Sequence, residues 1–249
     1  MRLSAGGWSE TGPRPANEDV HLVDLDVGLL LVADGMGGHK AGEVASRLAR
    51  DVIADFIRET AVASDLTWPF PFDRARTAAV NRLSVALRIA NREVLDAGRR
   101  NPRYNGMGTT IVAGLIDGDR MVVAHAGDSR AYRLRGTRLQ QMTEDDTWLN
   151  VMLASGAGAA AAAHPMRHAL TRGIGMKADL SPTVTEVSLA RNEHWLFTTD
   201  GIHNVVDSRA LVGLLEADGP DLAAKQVVRA AIDAQTSDNA TAVVLYVRQ

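Results

Sequence analysis

Apolar and polar positions change their period several times along this chain of 249 residues, and the changes mark out its elements. Positions 20–26 and 27–33 are short segments rich in Val and Leu, separated by little more than a turn, which predicts a strand pair leading into Asp34. The Asp34 carboxylate is thereby expected at a strand end. Over 41–60 the apolar residues Val44, Leu48, Val52, Ile53, Phe56 and Ile57 recur every three or four places, the pattern of an amphipathic helix. Pro69 and Pro71 punctuate the loop that follows. A second helix is expected over 73–100, with Val80, Leu83, Leu87, Ala90 and Val94 on or near one face and Asn101-Pro102 as its stop.

Strand character returns at 109–116, 120–126, 131–135 and 138–142, with Asp117-Gly118 and Arg135-Gly136 as hairpin turns, and this run reads as a meander. The stretch 145–175 differs in texture: a helix, then Gly156-Ala157-Gly158, the alanine run 159–163 and His164-Pro165. Glycine and alanine offer few bulky anchors, so this segment is expected to be a mobile surface flap. Strands at 184–189 and 194–199, a helical stretch over 208–235 and a closing strand at 240–247 complete the pattern. With no repeat and no linker, residues 1–249 read as one α+β domain carrying a flap.

Composition narrows the chemistry. A net charge of -3, from 27 basic against 30 acidic residues, gives no general attraction to nucleic acid or an anionic membrane. The chain has no cysteine, which excludes disulfides, thiolate metal sites and a cysteinyl-phosphate intermediate. Its N-terminal residues lack an apolar leader, and the run 29–33 is too short to span a bilayer, so a soluble, cytoplasmic protein is expected.

What the chain does carry is a series of carboxylates in turn-like contexts: Asn17-Glu18-Asp19, Asp34-Gly35-Met36-Gly37-Gly38, Gly127-Asp128-Ser129, Thr199-Asp200-Gly201 and Ser237-Asp238-Asn239. Any one Asp-Gly is an ordinary turn. Together they suit a site for hard divalent cations, which prefer carboxylate oxygen and activate water for attack on phosphorus. Asp34 and Asp200 each close an apolar run, and Asp238 precedes the last strand, so all three are expected to converge from strand termini. Arg14 offers a planar fork of donors matched to two phosphate oxygens. His39 is a candidate proton donor; His21, His125, His194 and His203 read as structural, and His164 and His168 lie in or beside the flap.

The ordered set of 14–19, 34–39, Gly108-Thr109-Thr110, 126–130, Thr171-Arg172, Asp200-Gly201 and 237–241 resembles the motifs of the metal-dependent protein phosphatase family, the PP2C type, in its bacterial form. The resemblance covers nearly the whole chain. It implies a four-layer sandwich, two antiparallel sheets face to face with helices on both outer surfaces. It implies two Mn²⁺ or Mg²⁺ ions bridged by Asp34, one completed by Asp200 and Asp238, the other by the Gly35 carbonyl. Glu18 matches a residue that contacts this second ion through water, Asp19 one that orients the coordinated waters, and Asp128 with Asp200 a weaker third site. Arg14 matches the phosphate-binding arginine. Animal members carry a histidine, taken as the general acid, where this chain has Met36.

The resulting expectation is a protein serine/threonine phosphatase, hydrolysing phosphoserine and phosphothreonine in one step with Asp34, Asp200 and Arg14 as the catalytic set. Its expected partners are phosphoproteins made by a bacterial Ser/Thr kinase, and the expected state is a monomer. A phosphatase-fold sensor or binding module, or a small-molecule phosphoesterase, are the alternatives.

Overall fold

Strands that are apolar on both faces decide the architecture, because each must be covered from two sides. In a computed structural model describing residues 1–37, 41–62, 68–156 and 158–248, with backbone alone at 159 and 160, the chain runs as follows. The first part contains β1 (Arg2–Glu10), β2 (Asp19–Asp24), β3 (Leu29–Met36), α1 (Ala41–Val62), α2 (Ala78–Arg100), β4 (Gly108–Thr109), β5 (Ile111–Asp117), β6 (Arg120–Ala126), β7 (Arg130–Arg135) and β8 (Arg138–Gln141). After these come α3 (Trp148–Ala154), α4 (Ala159–Ala163), β9 (Thr183–Ser188), β10 (Glu193–Thr198), α5 (Asp200–His203), α6 (Ser208–Leu214), α7 (Pro220–Asp233) and β11 (Ala240–Arg248).

One antiparallel sheet has the order β1-β11-β10-β7-β8, and the other β2-β3-β5-β6-β9, with β4 paired to the end of β3. Three apolar layers follow. Leu30, Val32, Val112 and Val123 of one sheet meet Trp195, Phe197, Val243 and Leu245 of the other between the sheets. The alternate residues Leu29, Leu31, Ala113 and Leu115 pack outward against Ile53 and Ile57 of α1 and Leu83, Leu87 and Val94 of α2. Val244 and Tyr246 of β11 likewise pack outward on Val227, Val228 and Ala231 of α7. The result is the expected four-layer α+β sandwich. Among the described residues no helix is long and apolar enough to cross a membrane.

Several expectations change. The run 109–142 is not a meander: β5 and β6 form a hairpin in one sheet, β7 and β8 in the other, and residues 127–129 carry the chain between them. Local turn signals mark hairpins but carry no information about which sheet a hairpin joins. The second helix starts at Ala78, where the Thr77 side chain accepts from the Val80 amide and caps it. The stretch 208–235 is two helices interrupted at 215–219. β1, unforeseen from sequence, pairs with β11 along its full length; its Gly6-Gly7 pair and mixed polarity hid the alternation.

Candidate metal and phosphate site

Asp19 and Asp34 are register partners in β2 and β3, so their side chains leave the sheet on the same side. Asp34 does not end its strand as expected. β3 continues through Gly35 and Met36, which turn from β5 to pair with β4. The Asp34 backbone is held by Thr110 and Thr109: its amide donates to Thr110 Oγ1 at 3.1 Å, and its carbonyl accepts from the Thr110 amide and Thr109 Oγ1, both at 2.8 Å. Gly35 is required by packing. A Cβ there would meet the Gly42 carbonyl, so the start of α1 lies directly on this strand.

The other sheet supplies Asp200, first residue of α5 just past β10, and Asp238, just ahead of β11. A Cβ on Gly201 would run into the Asn239 carbonyl, which explains the glycine after Asp200. Thr199 couples the two sheets, donating to Asp19 Oδ2 at 2.8 Å and accepting from the Thr241 amide at 3.1 Å. Asn239 accepts from the Glu18 amide at 2.9 Å and donates to the Thr11 and Ala16 carbonyls at 2.7 and 2.9 Å. This fixes the loop that carries Arg14. Asp128 sits on the crossover between sheets, whose Gly127 amide donates to Asp146 Oδ2 at 3.0 Å.

Arg14, Glu18, Asp34, Gly35, Asp128, Asp200 and Asp238 line one cleft of about 350 Å³, while Asp19 is buried behind it. Met36 and His168 also line it. His39 lies outside the described residues, and His168, expected in or beside the flap, is the histidine among the described residues that faces this cleft. Met36 packs toward Gly108 and Gly173, bracing the base of the 145–175 segment. That base is not loose surface: Ile174 is fully buried and exchanges hydrogen bonds with Thr109, and Arg172 pairs with Asp146 at 2.9 Å. Ala161 is buried as well. His125 and His203 are structural as expected, bonded to the Glu144 carbonyl at 2.8 Å and Thr198 Oγ1 at 2.9 Å.

The Arg14 guanidinium bonds Asp238 Oδ2 at 2.7 Å and the Ser237 carbonyl at 2.9 Å, contacts that no sequence motif announced. Arg14 stays 51% exposed at this pair, leaving much of its fork open to the cleft.

Crowded carboxylates resist ionisation. Burial, and then the charges of Asp19, Asp200, Asp238 and Asp128, push Asp34 well above the usual carboxylate range. Burial raises Asp19 to about 7 despite the Thr199 hydroxyl, and burial together with Asp200 and Asp145 raises Asp128 to about 7. Asp200 is raised by burial and by Asp238, and a hydrogen bond with the Asp34 carboxyl offsets part of the shift. Glu18 is raised chiefly by burial.

The donor set fits hard divalent cations. It is all oxygen, it concentrates negative charge, and two buried carboxylate oxygens, Asp19 Oδ1 and Asp200 Oδ1, have no hydrogen-bond partner among the described residues. Among the described residues no three acidic or histidine groups form a finished ion cage.

A family profile described as protein phosphatase 2C matches residues 15–217. The chain is 31% identical over 233 residues to the serine/threonine protein phosphatase PstP of Mycobacterium tuberculosis, an alignment covering 93% of this chain and 42% of that protein. It is 31% identical over 217 residues to the protein phosphatase PhpP of Streptococcus pneumoniae, covering 86% and 83%. Among solved structures, the catalytic domain of PstP in complex with two manganese ions superposes with a TM-score of 0.83 at 29% identity, covering 99% of each chain. The chain belongs to the protein phosphatase 2C family. It spans less than half the length of the PstP relative.

Proposed function

We propose that this chain is a metal-dependent protein serine/threonine phosphatase domain, acting on phosphoserine and phosphothreonine of proteins phosphorylated by Ser/Thr kinases. The observation that carries the reading is the gathering of Glu18, Asp34, Asp128, Asp200 and Asp238 with Arg14 around one cleft, by elements of both sheets. In this reading Asp34, Asp200, Asp238 and the Gly35 carbonyl would hold two ions, Mn²⁺ or Mg²⁺, with Glu18 at the cleft and Asp19 behind it supporting them. Asp128 with Asp200 suits a weaker third. When bound, such ions supply charge neutralisation and water activation at neutral pH. The chain's own part is positional: Thr199 and Thr110 fix Asp19 and Asp34, and Asn239 fixes the Arg14 loop. The open edge of the Arg14 guanidinium can take phosphoryl oxygens.

The segment 145–175 is read as a flap that selects substrate, with its base anchored at Asp146 and Ile174. Because Ala161 is buried, the place to alter it is the exposed pair Ala162 and Ala163. The test of the function compares kcat/KM on phosphoserine and phosphothreonine peptides and on a small aryl phosphate, for wild type and Ala162→Gln with Ala163→Gln. Phosphopeptides should be hydrolysed, and the variant should change the ranking among them while leaving the aryl phosphate rate within about twofold. Wild type inert toward both peptides but active on the aryl phosphate would favour the small-molecule alternative, and inertness toward all three the sensor. Equal losses on every substrate would mean the segment supports the cleft itself.

Arg14→Ala separates substrate binding from ion binding. Loss of the fork should raise KM for phosphopeptide by about tenfold or more. Freed from its guanidinium partner, Asp238 should hold a cation at least as well, so bound metal measured by elemental analysis should not fall. A fall in metal content, or unchanged KM, would remove Arg14 from this role.

A further inference from the structure

The turn that carries Asp128 is gripped on both sides. Residues 127–129 pass from β6 to β7, and Asp128 lines both the acidic cleft and a neighbouring cavity of about 530 Å³ bordered by Leu149, His168 and Asn204. Thr110 lies under the turn. A Cβ on Gly127 would press on it, and its hydroxyl bonds Ser129 Oγ at 2.7 Å and accepts from the Asp34 amide. The other hold comes from two consecutive carboxylates that open the flap segment. The Asp146 amide donates to the Gly127 carbonyl at 2.9 Å, and the Gly127 amide donates back to Asp146 Oδ2 at 3.0 Å. Asp145 takes the Arg130 guanidinium in a bidentate pair at 2.9 and 2.7 Å.

Asp146 holds the flap with its remaining atoms. Its carbonyl accepts from the Thr171 amide at 2.8 Å, and its Oδ1 receives the Arg172 guanidinium at 2.9 Å. Arg172 donates in turn to the Ser181 carbonyl at 2.7 Å and to Thr183 Oγ1 at 3.0 Å. Both ends of the 145–175 segment therefore meet on one residue, which is only 8% exposed. Apolar anchorage is scarce beside it, since α3 buries none of its seven residues. A carboxylate withdrawn from water is costly unless its oxygens find donors. Here each oxygen serves a different body, one the Asp128 turn and the other the flap.

We propose that Asp146 is a positioning residue for phosphate hydrolysis, setting the Asp128 carboxylate at the cleft and coupling its placement to the flap. The inference rests on the metal-dependent phosphatase reading given above. Asp146 lines a separate pocket of about 240 Å³ with Thr171 and Arg172, and it reaches the cleft through Gly127. Displacing a charged oxygen at a reacting centre is costly in rate, on the order of 10²-fold for about 1 Å. The coupling is reciprocal: an ordered flap improves the hold of Asp128 on a cation, and a cation on Asp128 steadies the flap.

A double-mutant cycle of wild type, Asp146→Ala, Asp128→Asn and the combined variant tests this. Mn²⁺ binding to chelator-stripped protein is followed by the electron paramagnetic resonance of free Mn²⁺, kcat and KM are measured on an aryl phosphate, and amide hydrogen exchange is followed over 145–156 and 161–175. Asp146→Ala should weaken the weakest-bound Mn²⁺ about tenfold and leave tighter ions within about twofold. It should lower kcat about tenfold with KM nearly unchanged, since Arg14 stays in place. Added to Asp128→Asn, it should change Mn²⁺ affinity and kcat by less than about twofold, because both substitutions cut one route. Exchange should slow when Mn²⁺ saturates wild type, and should not respond in Asp146→Ala. If Asp146→Ala does not fold, Asp146→Asn, which keeps one acceptor oxygen, replaces it in the cycle. Losses that multiply in the combined variant, unchanged Mn²⁺ affinity and kcat, or equal weakening of tight and weak ions would each overturn the proposal while leaving the phosphatase reading intact. Wild type that binds no Mn²⁺ would overturn both.

Discussion

Chelator should abolish phosphopeptide hydrolysis, Mn²⁺ should restore it, and Asp34→Asn should lower kcat by on the order of 10³ or more even with excess Mn²⁺. The size of the effect follows from the position of Asp34. Its backbone is held on both sides by Thr109 and Thr110, and its carboxyl lies against that of Asp200. An amide there keeps the shape and the backbone bonds but removes the negative charge that a cation needs most. Asp200→Asn should behave alike, since Asp200 Oδ1 is a buried oxygen with no hydrogen-bond partner among the described residues. Hydrolysis that continues in metal-free protein, or an Asp34→Asn enzyme with wild-type kcat and metal content, would dismiss the assignment.

The metal-free protein should lose stability as pH rises from about 4 to 7, and Asp19→Asn should remove part of that loss. Asp19 and Asp128 titrate near 3.8 when unfolded and are raised to about 7 in the fold, mainly by burial. Below pH 4 both states hold these protons. Between 4 and 7 the unfolded chain releases them while the fold retains them, so stability falls across that window and the loss is complete above 7. At about 1.4 kcal/mol per pH unit the cost is bounded near ~4 kcal/mol for each carboxyl. His21, His194 and His203, lowered by burial, act in the opposite direction as pH falls below 6.5. The decisive measurement is therefore the difference in Tm between wild type and Asp19→Asn in chelator. It should favour the variant increasingly from pH 4.5 to 7.5, and Mn²⁺ should reverse the order at pH 7.5 by stabilising wild type. A Tm difference independent of pH would show that the Asp19 carboxyl is not held protonated by its surroundings.

The acidic positions themselves were legible in the chain, because Asp-Gly and Asp-Asn pairs beside apolar runs mark places where buried strand gives way to turn. The helices α1 and α2 were legible from their periodicity, although the start of α2 was displaced by five residues. Thr77, not Asp73, satisfies its first amides, and cap choice depends on which side chain reaches them. The residues that hold the site were harder to see. Thr199 and Asp146 act through contacts made across 180 and 19 positions of sequence, and His168 lines the cleft from the 145–175 segment; a threonine, aspartate or histidine in a strand or loop looks the same whether or not it has such a place.

Sequence alone determined that this chain has a cysteine-free set of carboxylates in turn contexts and two long amphipathic helices, because residue type and periodicity dictate both locally; the four-layer sandwich came from the family resemblance. Only the tertiary structure decided that residues 127–129 cross between sheets and bring Asp128 to the cleft, and that Arg14 rests on Asp238. These are outcomes of long-range pairing and of which charges meet which in three dimensions, and no local pattern encodes them.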